Sequence, residues 1–370
     1  MRKVLLTATM QSHIAQFHRP LVEMLRQQGD VEIHVAAYDN LAEKNGLSLA
    51  FVDRVFSIPF ARSPFSLRNR KAYRQLKRII REGEYDVIHC NTPVGGVLTR
   101  LAARKSGAKV LYTAHGFHFY NGAPKRNWLL YYPVEKWLAP LCDRLITINR
   151  EDYQRASRAF TTDVRHIHGV GVDEQRFYPV PLEQKNALKE KLGFTATQRI
   201  LLCVGELLPN KNQTMALRAM ASVLTHYPDA VLLLAGNGPE RTRLEALAEQ
   251  LGVSSQVHFL GYVLNLEEYQ RISDISISCS NREGLGLNVI EALLSGTPVV
   301  ATENRGHSEL IQSGINGYLV PQNDAIGLAD ALIRLLGDEQ LRLQMAAQAP
   351  ATMAPYTAIA VRKELKEIYF

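Results

Sequence analysis

Glu283 and Glu291 stand eight residues apart in the stretch Asn281–Pro298, NREGLGLNVIEALLSGTP, with Gly284 and Gly286 between them. A carboxylate accepts hydrogen bonds from hydroxyl groups. Glu283 therefore suits the hydroxyls of a sugar, and Glu291 the two hydroxyls of a ribose, taken as a fork. Asp274–Ser280 (DISISCS) reads as a short buried strand, and Asn288–Leu294 as a helix stopped at Ser295-Gly296. The glycines thus fall where a strand turns into a helix. Backbone N–H groups of Gly286, Leu287 and Asn288 can face an anion there, beside the positive end of the helix dipole. Taken alone, the spacing also fits a solvated surface loop followed by one helical glutamate. The glycines and the preceding strand favour the site.

This stretch resembles the E-x7-E signature of retaining GT-B glycosyltransferases of family 4 (group 1), among them bacterial capsule and exopolysaccharide transferases. The resemblance extends over essentially the whole chain, most closely at residues 113–153 (TAHGFHFYNGAP, NWLLYYPVEKWL, LITINREDY) and 283–317. It implies an α/β fold of two Rossmann-like, doubly wound parallel-sheet domains facing an interdomain cleft. Residues 1–168 would form the acceptor- and membrane-facing domain and residues 169–355 the nucleotide-sugar domain. The terminal helix, 356–370, would pack back on the first.

The resemblance also assigns roles. His115, at the end of the strand Val110–Thr113, matches a histidine that contacts the transferred sugar, and the aromatic run Phe117–Tyr120 follows at the same sheet edge. Lys211 matches a lysine on the diphosphate, where a cationic side chain would meet charge developing on the leaving group. The arginine expected five residues earlier is replaced by Glu206, which should point away or pair with Lys211. Gly205 closes the preceding strand, and Gly238 and Tyr262 lie in the two loops that flank the nucleotide base in relatives. The glycine-rich turn common after the first strand is absent. Gln11, Ser12 and His13 stand there instead, so Ser12 is a candidate donor contact, while His13 and His18 either face the cleft or are packed. Trp128, Tyr131, Tyr132 and Trp137 read as core, with an acceptor groove as the other use.

The remaining chain supplies the frame. With 370 residues and 46% apolar content, two α/β domains each have enough chain for a core. Cys90, Cys142, Cys203 and Cys279 show no metal-ligand or redox spacing and read as buried thiols in a reducing compartment. MRKVLLTATM reads as a first strand rather than a signal peptide, and no apolar run reaches membrane-spanning length. Charge is divided unevenly: residues 1–170 hold 26 Lys+Arg against 14 Asp+Glu, residues 171–370 hold 17 against 22. Much of the basic excess lies in Leu67–Arg81, seven basic residues and no acidic one. At helical spacing Ala72, Leu76, Ile79 and Ile80 take one side, and Arg70, Lys71, Arg74, Lys77, Arg78 and Arg81 the other. Such a helix is either an ordinary domain helix with a basic outer face or one that docks on anionic headgroups; the latter is favoured.

Together these features predict a peripheral enzyme on the cytoplasmic face of the inner membrane. It would move a hexose or N-acetylhexosamine from a UDP-sugar to a polyprenyl-diphosphate-linked saccharide. No cofactor, metal ion or nucleic acid is expected; the nucleotide sugar is substrate. Two other classes share the features. A nucleotide-sugar 2-epimerase would need no acceptor, and a non-catalytic scaffold subunit would fit Glu206 best.

Overall fold

A computed structural model describes residues 1–43 and 46–370. The chain divides into two compact units, Met1–Gly171 with Ala358–Phe370, and Val172–Thr357.

The first unit holds the strands β1 (Arg2–Met10), β2 (Val31–Tyr38), β3 (Arg54–Ser57), β4 (Val87–Asn91), β5 (Lys109–Ala114), β6 (Arg144–Thr147) and β7 (Asp163–His166). They form one parallel sheet in the order β3-β2-β1-β4-β5-β6-β7. Val4, Leu5 and Leu6 of β1 and every residue of β4 are buried, as strands covered on both faces require. The helices between them are α1 (Gln11–Phe17), α2 (Arg19–Gln27), α3 (Arg68–Gly83), α4 (Pro93–Ala103), α5 (Lys125–Leu138) and α6 (Arg150–Ala159). On α3, Ala72, Leu76 and Ile80 repeat every four residues and are buried, which leaves the basic side outward.

The second unit repeats the plan with β8 (Arg199–Val204), β9 (Ala230–Ala235), β10 (Val257–Gly261), β11 (Ile275–Ser278), β12 (Val299–Thr302) and β13 (Gly317–Val320), in the parallel order β10-β9-β8-β11-β12-β13. Its helices are α7 (Leu182–Lys191), α8 (Gln213–His226), α9 (Arg241–Gln250), α10 (Leu266–Ile272), α11 (Leu287–Leu294), α12 (Arg305–Leu310), α13 (Ala325–Gly337) and α14 (Glu339–Thr352). In both sheets the winding reverses next to the first strand, between β1 and β4 and between β8 and β11. Ligands of doubly wound sheets bind at the carboxyl ends of those strands.

The last helix, α15 (Ala358–Tyr369), belongs to the first unit and packs on α2. Helix C-termini leave carbonyls without intrahelical partners. Here Lys109 Nζ donates to the carbonyls of Ile368 and Tyr369 (3.0 and 3.1 Å), and Arg144 also donates to Ile368. These cations also complement the negative end of the helix dipole. The Tyr369 hydroxyl reaches the sheet centre, 2.6 Å from His89 Nδ1.

Candidate functional site

In the second unit, three loops meet at the switch point. The loop after β8 carries Lys211 in a short 3-10 turn, Pro209–Lys211; the loop after β11 carries Glu283; α12 follows β12. Asn281 N donates to Asn210 O (2.8 Å) and Asn210 Nδ2 donates to Arg282 O (3.0 Å), so the first two loops are laced together. Lys211 Nζ lies 2.5 Å from Glu283 Oε1. Arg305 Nε donates to Glu283 O (3.2 Å). Gly306 is required by crowding, because a Cβ there would stand 2.7 Å from Leu285 O and 2.8 Å from Glu283 Cβ. Glu283 is therefore fixed at both its backbone and its carboxylate.

Gly286 caps α11 with φ +103°, a conformation that favours glycine. The first N–H groups of α11 are left without intrahelical partners. The Asn288 side chain turns inward, its Nδ2 donating to Val204 O (3.2 Å) and Ser278 Oγ (3.4 Å), so it fastens the helix start to the sheet. Below it His307 is fully buried between Ser278 Oγ (3.0 Å) and Thr302 O (2.7 Å). His307 Nδ1 lies between Thr302 O, which only accepts, and Asn304 Nδ2, which only donates (2.9 Å), while Nε2 faces Ser278.

The two signature glutamates differ in charge state. Burial pushes the Glu283 carboxyl up, but the Lys211 ammonium beside it and hydrogen bonds from Lys211 and Ser280 hold it below the ordinary carboxylate range. Glu291 is pushed up to about 7 by burial, with Arg176 opposing and Glu267 adding to the rise.

The second unit's other donor candidates are spread along the sheet: Gly205 after β8, Gly238 after β9, Tyr262 after β10 and Leu287 at the start of α11. Lys211's stem lies over Gly205, where a Cβ would be 3.4 Å from Lys211 Cδ. Gly238 lets the loop after β9 cross the loop after β8, since a Cβ would meet Leu207 O at 2.3 Å. Tyr262 is exposed and Leu287 half-buried. Glu206, expected either to point away or to pair with Lys211, is exposed, and the Lys211 ammonium lies on Glu283, within reach because the loops of β8 and β11 are tied. Arg305 was not singled out from sequence as a site residue. Its only signal is a basic residue at a helix start directly after a strand.

In the first unit, β1 runs straight into α1 without a turn, so no glycine is needed and Ser12 sits in the first helical turn. Ser12 is held by Asn40, whose Oδ1 accepts from Ser12 N (3.1 Å) and whose Nδ2 donates to Ser12 Oγ (2.9 Å). His13 on α1, His18 before α2 and His115 after β5 come together. His13 Nε2 and His115 Nε2 are 3.2 Å apart, and His115 Nε2 is 2.9 Å from Asn91 Oδ1 at the end of β4. Burial, reinforced by their mutual repulsion when charged, lowers His13 well below the ordinary imidazole value and His115 to about 3. Burial also lowers His18 to about 4, although hydrogen bonding to Asn91 opposes the shift. All three are neutral at pH 7.

The aromatic run divides. Phe117 and Phe119 are buried and stack at 4.6 Å, so these two belong to the core rather than to the sheet edge, while His118 and Tyr120 stay half-buried. Alternation in an extended segment sends every second side chain inward. Trp128, Tyr131 and Tyr132 pack against the same core, whereas Trp137 is 64% exposed. Arg70, Lys71, Arg74, Lys77, Arg78 and Arg81 are all exposed on α3. Phe65 and Leu67, just before that helix, are 79% and 78% exposed. No helix among the described residues is long and apolar enough to cross a membrane.

Comparison with known proteins adds to this geometry. The family model described as "Glycosyl transferases group 1" matches residues 184–352, and that described as "Glycosyltransferase Family 4" matches residues 16–176. The EpsD protein of Bacillus subtilis (strain 168), described provisionally as a glycosyltransferase, is 44% identical over 375 residues, covering 100% of this chain and 96% of its own. The UDP-Gal:alpha-D-GlcNAc-diphosphoundecaprenol alpha-1,3-galactosyltransferase of Escherichia coli is 28% identical over 298 residues, covering 78% of this chain and 76% of its own. Among solved structures, Anabaena Alr3699/HepE in complex with UDP and glucose matches in fold with a TM-score of 0.82 at 20% identity, covering 100% of this chain and 99% of that one.

Proposed function

Because this chain belongs to glycosyltransferase family 4, the group 1 glycosyl transferases, and has the GT-B fold, we propose that it moves a hexose or N-acetylhexosamine from a UDP-sugar to a polyprenyl-diphosphate-linked saccharide in surface polysaccharide assembly. The observation that carries this is the second unit's switch point, where Lys211, Glu283, Arg305 and the start of α11 converge. The names of two similar proteins support the donor and acceptor classes, since one solved relative holds UDP and the Escherichia coli enzyme acts on a diphosphoundecaprenol-linked sugar.

Each group has a task. Lys211 and the free N–H groups of α11 meet the charge that develops on the departing diphosphate, without a divalent ion. Glu291 accepts the ribose hydroxyls, and those donors draw its proton off. Glu283, kept ionised by Lys211, accepts from hydroxyls of the transferred sugar. His115, in the first unit, keeps the sugar-contact role that the resemblance implies, as a neutral imidazole. The sugar leaves with retained configuration. Basic α3, with Phe65 and Leu67 at its start, seats the protein on anionic phospholipid at the cytoplasmic face of the inner membrane.

The test is consumption of a panel of UDP- and GDP-sugars with and without membrane lipid extract. Acceptor-dependent release of one nucleotide, abolished by Glu283→Ala, is the expected result. Acceptor-independent conversion would identify an epimerase instead. No turnover and no UDP binding by calorimetry would identify a scaffold.

A further inference from the structure

The first unit holds a polar cluster whose hydrogen bonding does not close. Asn91 Nδ2 donates to Thr7 O (3.4 Å), which turns Asn91 Oδ1 toward His115. An amide oxygen only accepts, so His115 Nε2 must carry the proton at their 2.9 Å contact. His13 Nε2, 3.2 Å from His115 Nε2, then points a lone pair into the same space. His18 is 3% exposed; its ring also bonds to Asn91, yet its Nδ1 is a buried atom with no hydrogen-bond partner among the described residues. A fourth histidine nearby, His89, is not open in this way: its Nδ1 lies 2.6 Å from Tyr369 and its Nε2 2.7 Å from Thr113 Oγ1. Buried polar groups of folded proteins are paired, and an open set calls for a water or an ion.

We propose that His13, His18 and His115 form a binding site for a zinc-class divalent transition-metal ion, and that the bound ion inhibits the enzyme by withdrawing His115. One ring nitrogen from each of the three histidines can be chosen so that all lie within 4.8 Å of one another. Around a tetrahedral zinc with Zn–N bonds of about 2.0–2.1 Å, ligand nitrogens stand about 3.3 Å apart. The His13–His115 pair is already at that spacing, 3.2 Å. The third imidazole closes by up to about 1.5 Å, which a side-chain rotation supplies. Asn91 Oδ1 or a water can take the fourth position. Three imidazoles select zinc, copper, nickel or cobalt over magnesium and calcium, which take oxygen ligands. His13 and His115 are half-buried rather than sealed, so an ion can enter. Binding moves the His115 Nε2 proton to Nδ1 and replaces the Asn91 hydrogen bond with a metal bond.

The metal site stands on this geometry alone; its effect on turnover rests on the assignment of His115 to the sugar. The test is equilibrium dialysis of the full, tag-free chain against Zn²⁺, with metal analysis, and Co²⁺ substitution followed by visible absorption. One ion per chain is expected, with a tetrahedral cobalt spectrum. His13→Gln and His18→Gln should each weaken binding by more than about 100-fold, beyond the range of a change outside the ligand set. Circular dichroism melts would show that both variants are folded. No binding, or binding indifferent to both variants, overturns the site. In the transferase assay, Zn²⁺ should inhibit the wild type and a chelator restore it. Variant-sensitive binding with no effect on turnover would support the metal site and overturn the role given to His115.

Discussion

Replacing Glu291 with glutamine should stabilise the protein in a pH-dependent way while weakening nucleotide binding. Burial raises the Glu291 carboxyl from 4.5 to about 7. Between those values the folded chain keeps a proton that the unfolded chain has lost. The folded state binds more protons there, so stability falls as pH rises through the window and levels off above it. That window, at about 1.4 kcal/mol per pH unit, corresponds to roughly 3 kcal/mol. The side chain is half-buried rather than sealed, and solvent screening brings the expected value to about 2 kcal/mol. Glu291→Gln keeps the shape and removes the titration. Relative to the wild type it should gain little at pH 4 and about 2 kcal/mol at pH 8. Urea unfolding at both pH values measures this, read by far-UV circular dichroism because Trp128 and Trp137, the two tryptophans, both lie in the first unit. A variant-minus-wild-type difference that stays flat from pH 4 to 8, or grows toward acid, would refute the charge cost. The same variant should bind UDP more weakly by calorimetry, because a carboxamide offers one acceptor oxygen where a ribose fork needs two. The signature glutamate is thus held at a cost to folding that its ligand offsets.

Other outcomes follow from the same geometry. Lys211→Met should lower kcat by about 100-fold or more, since it removes a cation from the leaving group. It should also raise the Glu283 pKa, readable as a shift of the acid limb of the kcat/KM profile to higher pH. Gly306→Ala should destabilise the protein by about 1–3 kcal/mol in urea unfolding, because its Cβ would press on Leu285 O and Glu283 Cβ. Changing Arg74, Lys77 and Arg78 to serine together should cut binding to phosphatidylglycerol vesicles by about 100-fold at about 1 kcal/mol per charge. Flotation would measure it, with neutral vesicles as the control and equal binding by both proteins as the refuting result.

The sheets and the glycine–helix junction were legible because they depend on local periodicity. Strands such as AVLLLA at 230–235 are apolar throughout, and Gly286 marks the strand-to-helix turn directly. α1 was not legible: its inward positions, Gln11 and Ile14, lead on to buried His18, so two of three are polar and the helical pattern does not stand out in hydropathy. Phe117 and Phe119 could have been placed in the core from their alternation with His118 and Tyr120. The Lys211–Glu283 pair joins residues 72 apart through loops tied by Asn210, and nothing local announces it. The histidine cluster likewise depends on three chain segments arriving at one place.

The placement of α15 has a consequence for the order of synthesis. The ribosome finishes the first unit's sheet, then makes Val172–Thr357 before the helix that completes that unit exists. At about 5–20 residues per second, the delay is roughly 10–40 s. During that time Lys109 and Arg144 have no helix end to cap, and the α2 surface that receives α15 is open to solvent. The half of the protein made first is therefore the last to be sealed, and the interval is when a chaperone or protease would meet it.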